Sequence, residues 1–452
     1  MRYISLILLS LLLSAAAPKS QAEQAFDEWL IAFNANDANA LEAFSVKRLG
    51  YSDITYFLDI RDESGGLDLV KIERNQPHRF IATMLDRESR IPRRVTVELE
   101  TAGSGKLKKL TTRGMLASQN EAIEALDKFA QRMAEEDRFS GVLGIKQGQK
   151  LMYQKAFGMA DRQKDISVSI ETPFLFGSQG KMFTAISILQ LVEAGKLHLD
   201  DPMGKFLTDY PNKAMAKVPV RQLLTHSGGT GDMGLLGPGD SANRKTVRTL
   251  EDIIKLNGDR SPDFDPGSRM DYSNYGFILL GAIIEKVSGK DYYDYVTERV
   301  LEPAGMTRTS WPTLEQMANV AVPYTTNDYK FILSAIETLP WRGSPAGGGV
   351  STVGDELRFV DALKAGKLLS LPLLEVATKP QEQWYGYGFV TGYAGDFPLW
   401  GHGGNASGTD TALTHFPTLD MTIACLGNRD GVCNKLFQNF AQHITPAKPI
   451  ED

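Results

Sequence analysis

Phe176-Gly177-Ser178-Gln179-Gly180-Lys181-Met182-Phe183 sets a hydroxyl and an amine three residues apart. Phe183, Ile186, Leu189 and Val192 follow at intervals of three, with Gly195 just beyond them. This pattern predicts an amphipathic helix that stops at the glycine and carries Ser178 in its first turn. Residues three apart on a helix share a face, so the Lys181 amine comes within hydrogen-bond reach of the Ser178 hydroxyl. A serine is a weak nucleophile until a base takes its proton, and a lysine serves as that base only when desolvation or nearby cations lower its pKa. The positive end of the helix dipole favours the reaction further. On its own, Ser-x-x-Lys also describes a capping serine beside a solvated lysine, so its meaning depends on what the rest of the chain supplies.

The chain has 452 residues, 42% hydrophobic and 23% charged, which is enough for two domains with a large core. A net charge of −6 without a dense basic run argues against a nucleic-acid partner. Met1-Arg2, the apolar run Ile4 to Leu13 and the small residues Ser20-Gln21-Ala22 have the layout of a secretory signal. Residues 1–22 are expected to be removed by cleavage after Ala22, leaving an exported protein, periplasmic or secreted. No later run approaches the ~20 apolar residues of a membrane span, and no cysteine follows the leader to carry a lipid. Neither cofactor nor metal is expected, because the six histidines form no His-x-x-x-His pair. There is no G-x-S-x-G elbow of the α/β-hydrolase kind.

Residues 23–113 read as a small α+β module. Ala25 to Phe33 and Asn39 to Phe44 are helical, and Ile54 to Leu58, Leu67 to Ile72, Phe80 to Leu85 and Arg94 to Leu99 are strand-like. The opening Phe26-Asp27-Glu28-Trp29-Leu30 resembles the cone-shaped domains related to nuclear transport factor and ketosteroid isomerase; without paired carboxylates it implies an accessory module. Arg87, Arg90, Arg93 and Arg94 read as a solvated sheet face. Residues 114–119 serve as a linker, within a linker-like run from Thr111 to Ser118. The remainder, 120–446, opens with a helix from Glu121 to Glu135 and a hairpin of Val142 to Lys146 and Lys150 to Phe157.

Two further stretches bear chemistry. Phe264 to Gly276 is a turn-rich loop containing Tyr272-Ser273-Asn274, and loops on a rigid scaffold are where catalytic side chains gather. A phenol at Tyr272 near an ammonium is expected to have its pKa pulled down and to carry protons to and from a serine, while Asn274 offers both donor and acceptor. In Leu399 to Gly408, His402-Gly403-Gly404-Asn405 forms a glycine-rich edge whose N–H groups can bond an oxyanion. His226, before a glycine pair, reads as a capping or structural residue.

In that order, Ser178-x-x-Lys181, Tyr272-Ser273-Asn274 and His402-Gly403-Gly404 resemble the three signature elements of the serine β-lactamase and penicillin-binding-protein superfamily, in its class C-like branch of related esterases and D-amino-acid peptidases. The resemblance runs from about Glu121 to His443. It implies a β-lactamase-like α+β fold: an antiparallel sheet flanked by helices, with an all-helical subdomain. It also implies that Ser178 attacks an acyl carbon while Lys181 and Tyr272 share the proton work. Asn274 would position lysine and substrate, with His402 and Gly404 at the binding edge and the oxyanion between the N–H groups of Ser178 and Asn405. The β-lactamases of this family usually carry lysine where His402 stands, and a neutral imidazole is a poor partner for a substrate carboxylate.

The expected activity is hydrolysis of an ester, amide or peptide through an acyl-enzyme. The alternatives are a β-lactamase or D,D-carboxypeptidase acting on peptidoglycan-like substrates, and a protein that acylates or binds without turnover. Cys425 and Cys433, the only two cysteines, span a turn; a local disulfide and two separate thiols both remain open. The oligomeric state and the natural substrate are open as well.

Overall fold

The computed structural model describes residues 18–101, 103–233, 246–327 and 331–444. Most of the expected leader lies outside these. Ser20 accepts a hydrogen bond from Glu23 N as the N-cap of the first helix, so the expected cleavage after Ala22 falls within that helix. The chain divides into two compact units, one ending at Met115 and the other starting at Leu116.

In the first unit, helices α1 (Gln21–Asn34), α2 (Ala38–Arg48) and α3 (Thr55–Ser64) precede an antiparallel meander of β1 (Leu67–Gln76), β2 (Arg79–Asp86), β3 (Pro92–Leu99) and β4 (Leu107–Gly114). Trp29, Phe26, Phe33 and Phe57 pack its core. Three expectations are corrected here. Ile54 to Leu58 is not a strand: Ile54, Phe57 and Ile60 are all buried, a helical interval that overrides the β preference of the individual residues. Thr111 to Gly114 is not linker but the end of β4, paired with β3 up to Arg93↔Gly114; a bulge at Glu98/Leu99 and the exposed Lys108-Lys109 obscure its alternation. Nor is Arg93 part of a solvated face. It is fully buried on the same alternation as Val95, Val97 and Leu99, and its guanidinium grips Asp86 at 2.9 and 3.0 Å. The alternation faces it inward, and the paired carboxylate compensates the burial of its charge.

The second unit is built on a six-stranded antiparallel sheet. After α4 (Gln119–Glu135) come β5 (Gly141–Gln147) and β6 (Lys150–Phe157); the chain then leaves the sheet for α5 (Gly180–Glu193), α6 (Val220–Leu224), α7 (Leu250–Asn257), α8 (Asn274–Ser288) and α9 (Val353–Lys364). It returns as β7 (Val390–Ala394), β8 (Phe397–Ala406), β9 (Thr409–Phe416) and β10 (Met421–Gly427), and ends in α10 (Cys433–Ile444). The spatial order is β7-β8-β9-β10-β5-β6. Alternate residues face opposite layers: Leu143, Ile145 and Ile423 meet α4 and α10, whereas Val142, Ala424 and Leu426 meet the helical side. With both faces covered, β9 and β10 are buried throughout, as a central strand between two layers must be.

Helix α5 departs from the expected amphipathic pattern: every residue from Gly180 to Leu189 is buried. It runs through the centre of the helical layer, against α8 and the sheet, so it has no solvent face to mark with polar residues. Among the described residues, no helix is long and apolar enough to cross a membrane.

Candidate active site

Ser178 lies in a 3-10 turn, Gly177–Gln179, that leads into α5, and Lys181 is the second residue of that helix. The turn requires Gly177: its φ is +54°, and a Cβ there would meet the Gly404 Cα at 2.9 Å and the Asn405 N at 3.1 Å. The approach is equally tight from the other side, where a Cβ on Gly404 would stand 2.1 Å from the Phe176 carbonyl oxygen. The edge of β8 thus lies against the nucleophile's turn. That edge is open because β7 pairs with β8 only as far as Gly401, leaving His402 to Ala406 bonded on the β9 side alone.

Lys181 is completely buried, and its Nζ lies 2.7 Å from Asn274 Oδ1, 2.7 Å from the Ala346 carbonyl oxygen and 3.0 Å from Ser178 Oγ. Burial pulls its pKa down to about 7, against a smaller upward pull from Asp232. The two carbonyl oxygens can only accept, so the neutral amine spends its two N–H groups on them and turns its lone pair to Ser178. The serine hydroxyl then donates to the lysine. Sequence spacing brought serine and lysine together; Ala346, from the glycine-rich loop before α9, completes the cradle.

Tyr272 bonds the Ser178 side chain, and its ring lies 4.8 Å from Lys181 Nζ. Its pKa is raised, not lowered: burial dominates and the Ser178 hydrogen bond only partly offsets it. The expectation of a phenolate poised by an ammonium is therefore corrected, since the lysine beside it is itself desolvated and readily neutral. Tyr272 stands as a protonated donor. His226, at φ +57°, stacks on Tyr272 with centroids 4.1 Å apart, and its Nδ1 accepts from Ser273 N at 3.1 Å. It supports the tyrosine from behind and also closes α6 as its left-handed terminal residue, with Ser227 N donating to the Gln222 carbonyl at 2.9 Å.

His402 Nδ1 lies 2.6 Å from the Gly403 carbonyl, an obligate acceptor, so Nδ1 carries the proton and Nε2 accepts from the Tyr385 hydroxyl at 2.8 Å. Burial and the nearby lysine push its pKa down to about 3. The third element therefore supplies no cation. Tyr385, which fixes this tautomer, lies in a stretch with nothing in its sequence to single it out. Asp232, also missed, bonds Asn274 N and Nδ2, each at 3.3 Å. Cys425, on β10, and Cys433, which opens α10, are joined by a disulfide with Cα atoms 5.5 Å apart. Among the described residues, no group of three or more His, Cys, Asp or Glu side chains is arranged to hold a metal ion.

A buried amine on a serine, a tyrosine on the same hydroxyl and a strand edge pressed on the turn, all between a helical layer and an antiparallel sheet, define a β-lactamase-like hydrolase fold. The Beta-lactamase family profile matches residues 126–436, more than half of the chain, and the chain belongs to that family. PbpX of Bacillus subtilis (strain 168) is 32% identical over 253 residues, 56% of this chain; the match spans 62% of PbpX's length. The penicillin-binding protein from Bacillus halodurans superposes with a TM-score of 0.63 at 27% identity, over 72% of this chain and 98% of that one. A D-stereospecific amidohydrolase from Streptomyces sp. gives a TM-score of 0.60 at 26% identity, over 70% of this chain and 97% of its own.

Proposed function

We propose that this protein is an exported serine hydrolase that cleaves an ester, amide or peptide through an acyl-enzyme on Ser178. One observation carries the reading: a fully buried lysine whose two N–H groups are held by Asn274 Oδ1 and the Ala346 carbonyl, leaving its lone pair for Ser178 Oγ at 3.0 Å. As Oγ bonds to the substrate carbonyl carbon, its proton passes to Lys181. The oxyanion is held by the N–H groups of Ser178 and Asn405. Tyr272 protonates the departing amine or alcohol and is reprotonated from the Lys181 ammonium, so both groups end neutral. Water then attacks the acyl-serine, giving a proton to this pair, and the carbonyl bond to Oγ breaks as the proton returns to the serine.

The neutral His402 favours esters and amides over β-lactams, whose carboxylate calls for a fixed cation. The similarity to the Streptomyces amidohydrolase supports an amide or amino-acid substrate. Export rests on the leader-like residues 1–22, and the Cys425–Cys433 bridge suits an oxidising compartment. The test is hydrolysis of p-nitrophenyl acetate and nitrocefin by the wild type and Ser178→Ala, with fluorophosphonate labelling alongside. Ester turnover and labelling by the wild type alone, with slow nitrocefin cleavage, is expected. Equal ester turnover in both proteins sinks the serine mechanism; fast nitrocefin cleavage without ester turnover sinks the substrate preference.

A further inference from the structure

Ser178 stands where two cavities meet. One, of about 950 Å³, runs along β8 and β9 toward α10; the other, of about 400 Å³, extends toward Met233, Met317 and Leu339. Both are lined by Ser178, Asn274 and Asn405. A substrate with its scissile carbonyl at Ser178 therefore places its acyl part in one and its leaving group in the other. Asp232 lines the smaller cavity and is exposed, and its carboxylate is held in place by Asn274 N and Nδ2 and by Met233 N at 2.8 Å. Among the described residues, no lysine or arginine forms an ion pair with it. Arg260 turns to its backbone, donating to the Asp232 carbonyl at 2.7 Å while stacking on Tyr275. Arg342, in the same cavity, donates Nε to the Trp311 carbonyl at 2.7 Å and lies 3.6 Å over the Tyr293 ring.

Among the described residues this carboxylate has no cationic side chain in an ion pair with it, and the Arg342 guanidinium of the same cavity is turned to the Trp311 carbonyl and the Tyr293 ring, so the carboxylate favours a positive charge on what enters. Its field acts over a few ångströms and is only partly screened. We propose that Asp232 is the specificity-determining residue of this site, pairing with the ammonium of substrates that carry a free amino group beside the scissile carbonyl: amino-acid amides and esters, or peptides cut after a free N-terminal residue. The inference rests on the serine-hydrolase reading. It adds an anionic anchor that the signature elements do not contain.

The experiment compares kcat/KM for phenylalanine p-nitroanilide, in both enantiomers, with that for its N-acetyl derivative, using wild type, Asp232→Asn and Asp232→Glu. The wild type is expected to prefer the free amine by tenfold or more in at least one enantiomer. Asp232→Asn should cut that ratio at least fivefold, and Asp232→Glu, which keeps the charge, should retain more of it than Asn does. A ratio is read because Asp232 also touches Asn274, so a general loss of activity cancels. A wild-type preference below tenfold in both enantiomers, a smaller fall in Asp232→Asn, or a Glu variant no better than Asn overturns the proposal. If wild type and Ser178→Ala turn over p-nitrophenyl acetate equally, the parent reading fails and this inference with it; ester turnover without amine preference removes this inference alone.

Discussion

Lys181 is the residue on which the site's pH behaviour turns. Its folded pKa of about 7 lies below the ordinary lysine value because burial disfavours the ammonium, and the base form is the neutral amine. Below pH 7 the lone pair is occupied by a proton; above it, Ser178 has an acceptor. kcat/KM for p-nitrophenyl acetate, corrected for background, should therefore rise about tenfold per pH unit below 7 and level off above, with an apparent pKa near 7. His402, neutral down to about pH 3, should add no second limb between pH 5 and 9. A profile flat from pH 5 to 8 would contradict the role given to the lysine. Serine and lysine were legible from their spacing, as were Tyr272 and Asn274 from theirs. The protonation state of Tyr272 was not, because the sign of its shift comes from desolvation, which only packing fixes.

At the scale of elements, the decisive contact is between the nucleophile's turn and the open edge of β8. The two backbones approach so closely that neither Gly177 nor Gly404 has room for a Cβ. Gly404→Ala should force the strand and turn apart, since its Cβ would stand 2.1 Å from the rigid Phe176 carbonyl. Overpacking of this kind costs about 1–3 kcal/mol of stability. Moving the Asn405 N–H out of line should cost about 10²–10³ in kcat, the effect of losing one oxyanion donor. Steady-state ester kinetics with a thermal melt checks both; a variant within threefold of wild type in kcat would show that the edge is not the oxyanion ledge. The glycines were visible in sequence as a flexible stretch. That they face Gly177, more than two hundred residues away, was not.

For the molecule as a whole, the sheet of the second unit is assembled from both ends of its chain, with β5 beside β10, so the helical insertion between them is closed by long-range strand pairing. The Cys425–Cys433 bridge adds a local closure, tying the last strand to α10 at a sequence separation of 8. For so short a loop, chain entropy predicts a contribution of about 2.5 kcal/mol. The double variant Cys425→Ala/Cys433→Ala should lower the unfolding free energy by that amount in urea, with ester kinetics near wild type; unchanged stability would mean the bridge adds nothing. The linear order of residues determined which groups could do chemistry and set the spacing of serine and lysine on one helix, because helical geometry is local. Tertiary structure decided the rest: that α5 is buried on every side, that Ala346 and Asn274 hold the amine, that Tyr385 fixes a neutral His402, and that Asp232 faces the pocket. These depend on desolvation and on contacts between distant segments, and neither is written in any short stretch of chain.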